Sequence, residues 1–146
     1  MSIINALLEN KAVWVSILAW FVAQLIKVVT VIIKDRRVDF TRFVGNGGMP
    51  SSHTAFIISL AVVAGKIKGF DSIEFATSIA IALIVMVDAA GVRRAAGMQA
   101  KVLNELIFSH DHKIKSDVKL KELLGHSPLE VFMGALLGIL LGALLG

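Results

Sequence analysis

Pro50-Ser51-Ser52-His53-Thr54-Ala55-Phe56-Ile57-Ile58-Ser59-Leu60-Ala61-Val62-Val63-Ala64-Gly65-Lys66 is the stretch on which the fold turns. Its apolar part, Thr54 to Gly65, has 12 residues. At a helical rise of about 1.5 Å it reaches roughly 18 Å, against a hydrocarbon core of about 30 Å. Three outcomes are open. The segment extends backward through Pro50 to His53, is completed by snorkelling Lys66 and Lys68, or re-enters the bilayer without crossing. If it re-enters, His53 ends on the side opposite the later histidine-bearing segment, and the two cannot meet.

Three further apolar stretches flank it: Ala12 to Ile33, Ile73 to Ala90 and Leu129 to Gly146. They reach roughly 33, 27 and 27 Å as helices, enough to span with modest adjustment. The whole chain of 146 residues is 56% hydrophobic and 18% charged, too apolar for a water-soluble domain. The expected fold is an all-α polytopic membrane bundle, one domain over residues 1–146, with about four transmembrane helices plus an interfacial helix. Val92 to Phe108 has amphipathic periodicity and either lies at the interface or extends the third span. Val118 to Leu124 is expected to form a short helix ended by Gly125. Met1 to Asn10 has no basic start and contains Glu9, so the first apolar segment is expected to stay in the mature protein.

Charge sets the orientation and narrows the partners. If all four segments cross, eleven of the 15 Lys and Arg fall in the loops Lys34 to His53 and Gly91 to Ser127, which the positive-inside rule places in the cytoplasm. The net charge of +4 suits an anionic leaflet or a phosphate-bearing ligand better than a nucleic-acid surface, and no nucleic-acid partner is expected. With no cysteine, thiolate metal sites, cysteine nucleophiles and disulfides are excluded.

Four groups of residues carry chemistry. Gly45-Asn46-Gly47-Gly48-Met49-Pro50-Ser51-Ser52-His53 brings backbone N–H groups, a helix start and a histidine to the membrane surface, which suits an anion. The alternative is a loop with a helix N-cap. In Gly125-His126-Ser127-Pro128-Leu129-Glu130, His126 and Glu130 stand at i and i+4, so the carboxylate can fix the imidazole tautomer. The alternative is a boundary histidine beside a snorkelling glutamate. Arg93 and Arg94 suit a doubly charged phosphate, although loop topology alone also explains them; it does not explain Asp88. Lys27 lies inside an apolar helix with Gln24 on its face, and either faces a partner or wet cavity or snorkels. Asp88 is a candidate counter-ion for Lys27 or Lys34.

Taken together, Gly47-Gly48-Met49-Pro50-Ser51-Ser52-His53, Asp88-Ala89-Ala90-Gly91-Val92-Arg93-Arg94 and Gly125-His126-Ser127-Pro128-Leu129-Glu130-Val131 resemble a known group in order and spacing over nearly the whole chain. That group is the divergent branch of the type-2 phosphatidic acid phosphatase and vanadium haloperoxidase superfamily. The resemblance implies a bacterial integral membrane protein that acts on a phosphorylated lipid without cofactor or metal. It implies Lys27 as a phosphate ligand, His53 as proton donor, His126 as nucleophile and Glu130 as its orienting acid. Arg93, Arg94, Gly48 and Ser52 would complete the phosphate site, with Ser51 and Asp88 in support. The chain departs from the wider pattern in two places. Lys34 and Asp35 stand where an arginine-proline pair is usual, and Leu120 stands where an arginine six residues before the histidine is usual.

The leading expectation is therefore hydrolysis of a lipid phosphomonoester or pyrophosphate through a phosphohistidine. A non-catalytic binder, carrier or scaffold that keeps the fold is the alternative, favoured by the missing arginines. A third reading takes His110-Asp111-His112 as a metal site. Finally, Gly134, Gly138, Gly142 and Gly146 recur every fourth residue, and such rows let helices approach closely, within one subunit or between two. A homodimer through this row is expected.

Overall fold

The computed structural model describes residues 2–35, 48–108, 119–122 and 124–146, and every regular element among them is helical. A short helix α1 (Ile3–Leu8) precedes α2 (Lys11–Asp35), and the Trp14 indole Nε1 donates to Leu8 O at 3.0 Å across their junction. The short apolar segment Thr54 to Gly65 lies within α3 (Ser52–Lys68), 17 residues long, or roughly 26 Å. Ser51 caps it, its Oγ accepting from the Thr54 N–H.

Helix α3 crosses the whole bundle. At its start, Ser52 lies beside Lys27 of α2 and the Ser51 N–H donates to Glu130 O at 2.9 Å. At its end, Lys66 Nζ donates to Ala143 O and Gly146 O, at 2.7 and 2.9 Å. Lys11 Nζ, at the beginning of α2, reaches the same Gly146 O at 3.3 Å. Backward extension to Ser52 and the lysines at its far end let α3 run the full length of α6, a course that a re-entrant segment would not take. The apolar run is short because α3 is the central helix, packed against α2, α4 and α6 rather than against lipid. Ser52, Thr54 and Ser59 are buried within protein, and the Ser59 Oγ bonds back to Phe56 O at 2.8 Å. A helix so placed does not need the hydropathy of one that faces acyl chains.

Helix α6 (Pro128–Leu145) lies parallel to α3, and the glycine row forms the seam. A methyl group at Gly138 would sit 2.7 Å from Ala55 O, and one at Gly142 would sit 2.8 Å from Val62 Cβ. Gly134 meets Ser51 O more closely still. The row packs inside the chain, where Gly134, Gly138 and Gly142 let α6 lie close against α3.

Helix α4 (Ile73–Val87) runs into a π-turn (Asp88–Val92) and on into α5 (Arg93–Phe108). The continuous helix has 36 residues, roughly 54 Å, far more than a bilayer core requires. Val92 to Phe108 therefore extends the third span. The expected helix over Val118 to Leu124 is not found: Lys119 to Glu122 are non-helical. The Asn104 side chain takes their backbone instead, donating Nδ2 to Leu120 O and accepting the Leu120 N–H on Oδ1, both at 2.9 Å. Lys11–Ile33, Ile73–Phe108 and Pro128–Leu145 are long and apolar enough to span by themselves. With α3 at their centre they make an all-α membrane bundle.

Candidate active site

Three chain segments converge at the α3 start. His53 is the second residue of α3, so the Ser51 cap fixes where its side chain leaves the backbone. His126 precedes α6 and is positioned by two contacts. Its N–H donates to Ala89 O in the π-turn at 2.8 Å, and its Nδ1 meets Glu130 Oε2 at 3.2 Å. Immediately before it, Gly125 has φ +78°, and a methyl group there would meet Ala89 O at 2.8 Å and the Arg94 backbone N more closely. Only glycine lets the chain turn here and lie against the π-turn. Ser127 and Glu130 form a capping box, in which Oε2 of Glu130 accepts from the Ser127 N–H at 2.9 Å. One carboxylate thus holds both the start of α6 and the imidazole.

The result is a cavity of about 120 Å³ whose wall includes His53, Asp88, Arg93, Gly125 and His126. The carboxylate can only accept, so Nδ1 of His126 carries the proton and Nε2 keeps its lone pair. His126 is buried. Burial holds its pKa below the usual 6.5; the Glu130 hydrogen bond pulls upward without prevailing, and the Lys27 and Arg93 charges push further down. A neutral imidazole with one nitrogen fixed is a competent nucleophile.

The sequence candidates separate into layers. His53, His126, Arg93 and Asp88 share the cavity wall, and Asp88 Oδ2 pairs with Arg93 Nε. Asp88 is therefore not the counter-ion of Lys27. Lys27 is only 4% exposed, which excludes snorkelling, and its Nζ donates to Ser52 Oγ at 3.3 Å. The lysine stands behind the first turn of α3, close enough for its charge to act on both imidazoles. Gly48 (φ +90°) and Arg94 border a neighbouring groove together with Glu130. Ser51 supports the site as the cap of α3. Gly45 to Gly47 and the His110-Asp111-His112 metal reading lie outside the described residues.

Sequence reasoning missed Asn104 and Gly97. Asn104, 4% exposed, also donates to Glu122 Oε1 at 2.8 Å, and a methyl group at Gly97 would sit 2.5 Å from Glu122 O. Both stand on one face of α5, seven residues apart, and dock the segment that leads into His126. A polar residue and a glycine recurring on one helix face were the available signal. The capping box was also legible, as Ser127-Pro128-Leu129-Glu130.

The sequence model of the divergent PAP2 family matches residues 8–141, a range that contains every residue of this site. The chain belongs to the divergent PAP2 family. It is also 42% identical over 147 aligned positions to the uncharacterized membrane protein YuiD of Bacillus subtilis (strain 168), covering 92% of this chain and 93% of that protein. No solved structure matches the chain. In this member of the divergent PAP2 family, Leu120 contributes backbone rather than a cationic side chain, and the guanidinium in the cavity comes from Arg93.

Proposed function

We propose that this divergent PAP2 protein is a membrane-embedded lipid phosphate phosphatase working through a phosphohistidine. The observation that carries the reading is one cavity bordered by His53, His126 and Arg93, with His126 Nδ1 held by Glu130. In the first step, His126 Nε2 attacks phosphorus, the N–P bond forms and the P–O bond to the lipid breaks. His53 gives its proton to the leaving oxygen. In the second step, His53 takes a proton from water, the water oxygen attacks phosphorus, and the N–P bond breaks to release phosphate and neutral His126. Arg93 and the charge of Lys27 offset the negative charge on the equatorial oxygens. The loop charge supports a site facing the cytoplasm.

The purified chain should release phosphate from a lipid phosphomonoester or pyrophosphate in the presence of a chelator, and vanadate should inhibit it. His126→Ala should abolish release, and equal turnover by this variant would reject the assignment.

A second reading is a lipid-phosphate binder without turnover. The specific observation favouring it is Leu120 at the usual arginine position, its backbone clipped by Asn104. Retention of phosphatidate or vanadate with no phosphate release from any lipid would support this reading over the first.

A further inference from the structure

The histidine cavity holds about 120 Å³, on the scale of a phosphoryl group, so the rest of a lipid headgroup must lie outside it. Gly125 borders this cavity and also a second, larger space of about 420 Å³. The wall of that groove includes Gly48, Arg94, Lys101, Glu122 and Glu130. Arg94 and Lys101 are seven residues apart on α5, two turns or roughly 10.5 Å, and so share a face.

The charges in the groove are unequally engaged. Glu122 accepts from Asn104 Nδ2 at 2.8 Å and lies 3.8 Å from Lys119 Nζ. Glu130 Oε2 is occupied by the Ser127 N–H and His126 Nδ1. Lys101, by contrast, meets only the exposed Glu105, at 3.9 Å, a contact worth little in water. Arg94 has no ion pair among the described residues. The groove therefore offers two cations without a close ion pair, while its carboxylates keep their charge but have oxygens engaged by Asn104, Lys119, Ser127 and His126. Loop topology accounts for basic residues on this side of the membrane. It does not account for their standing on one helix face, beside the cavity.

We propose that Arg94 and Lys101 form a second anion subsite, selecting lipids whose headgroup carries a further phosphate beyond the one that is cleaved. The inference rests on the reading of the histidine cavity as the phosphoryl site. A headgroup with a single phosphate on neutral diacylglycerol leaves both cations unused. A second phosphate, whether a phosphodiester or the remaining half of a diphosphate, receives charge-assisted hydrogen bonds from them.

The test compares kcat/KM of the full chain in detergent micelles on phosphatidate, phosphatidylglycerol phosphate and a polyprenyl diphosphate. The two lipids with a second phosphate should be favoured at least about tenfold, the scale of one hydrogen bond to a charged group. The better of the two identifies the source of that phosphate. Lys101→Gln should remove about tenfold of the preference through KM, leave phosphatidate turnover within about twofold, and be rescued by Lys101→Arg. The same lipids titrated onto the His126→Ala chain should show the same order of affinity and the same Lys101 dependence. Equal affinity for all three lipids, or an equal loss on all three in Lys101→Gln, overturns the subsite. If no lipid is hydrolysed, the phosphatase reading fails separately, and these binding constants still decide the subsite.

Discussion

The two ends of this bundle use lysine in opposite ways. At the end away from the histidines, Lys11 and Lys66 are exposed and donate to the last carbonyls of α6. They satisfy orphan acceptors and keep their charge near water, an inexpensive arrangement. At the histidine end, Lys27 is enclosed and gives Ser52 Oγ a hydrogen bond. Placing an ammonium inside an apolar helix costs roughly 2.5–3.5 kcal/mol on insertion scales. The hydrogen-bond partner of Lys27 is a neutral hydroxyl, and the Glu130 charge acts on it from a distance. On the proposed phosphatase reading, the buried lysine is held for an anion that approaches α3, whereas the far-end lysines serve the fold.

Substitution at both ends breaks this comparison most directly. Lys27→Met should lower kcat/KM for lipid phosphate by about 10²-fold or more while leaving thermal stability unchanged or raised. Lys66→Met should leave turnover unchanged and cost about 0.5–1 kcal/mol of stability, measured by thermal unfolding in detergent. Equal kinetic effects at the two ends would remove the distinction.

The left-handed glycines give a second contrast. A side chain at Gly125 meets the backbone of the π-turn, but at Gly69 (φ +100°) it meets only the Asp71 carboxylate, which can swing away. Gly125→Ala should therefore misplace His126 and reduce turnover by about 10²-fold, since small displacements of a reacting group have effects of that order. Gly69→Ala should cost only about 1 kcal/mol of backbone strain, with turnover preserved.

The smallest effect concerns pH. Because burial depresses the His126 pKa, the folded chain binds that proton more weakly than the unfolded chain does. Its contribution to stability is complete above about pH 6.5 and is lost as pH falls through the lower folded value. The acid limb of kcat/KM should likewise lie below pH 6.5. Glu130→Gln removes an upward pull, so the limb should move to still lower pH while kcat falls. A limb that moves upward in Glu130→Gln would show that the carboxylate does not act on the imidazole as described.

Much of the site was legible locally. His126 and Glu130 meet because i and i+4 share a helical face, and Ser51 caps α3 because serine before an apolar run accepts an N–H. The choice between Arg93 and Arg94 was not legible. The π-turn inserts a residue and shifts the phase of every side chain beyond it, so periodicity read along α4 does not carry into α5. The partner of Asp88 was hidden for the same reason. Asn104 escaped notice because the backbone it holds lies 16 residues away in a non-helical segment.

Hydropathy, a property that adds along the chain, determined by itself an all-helical membrane protein, and loop charge supplied the expectation that both long loops share one side. Tertiary structure alone decided that the short segment lies at the centre, that the glycine row packs within the chain, and which arginine joins the histidines. Those outcomes depend on what each helix face touches. The same short apolar run spans when protein surrounds it, although lipid around it would have required a longer one.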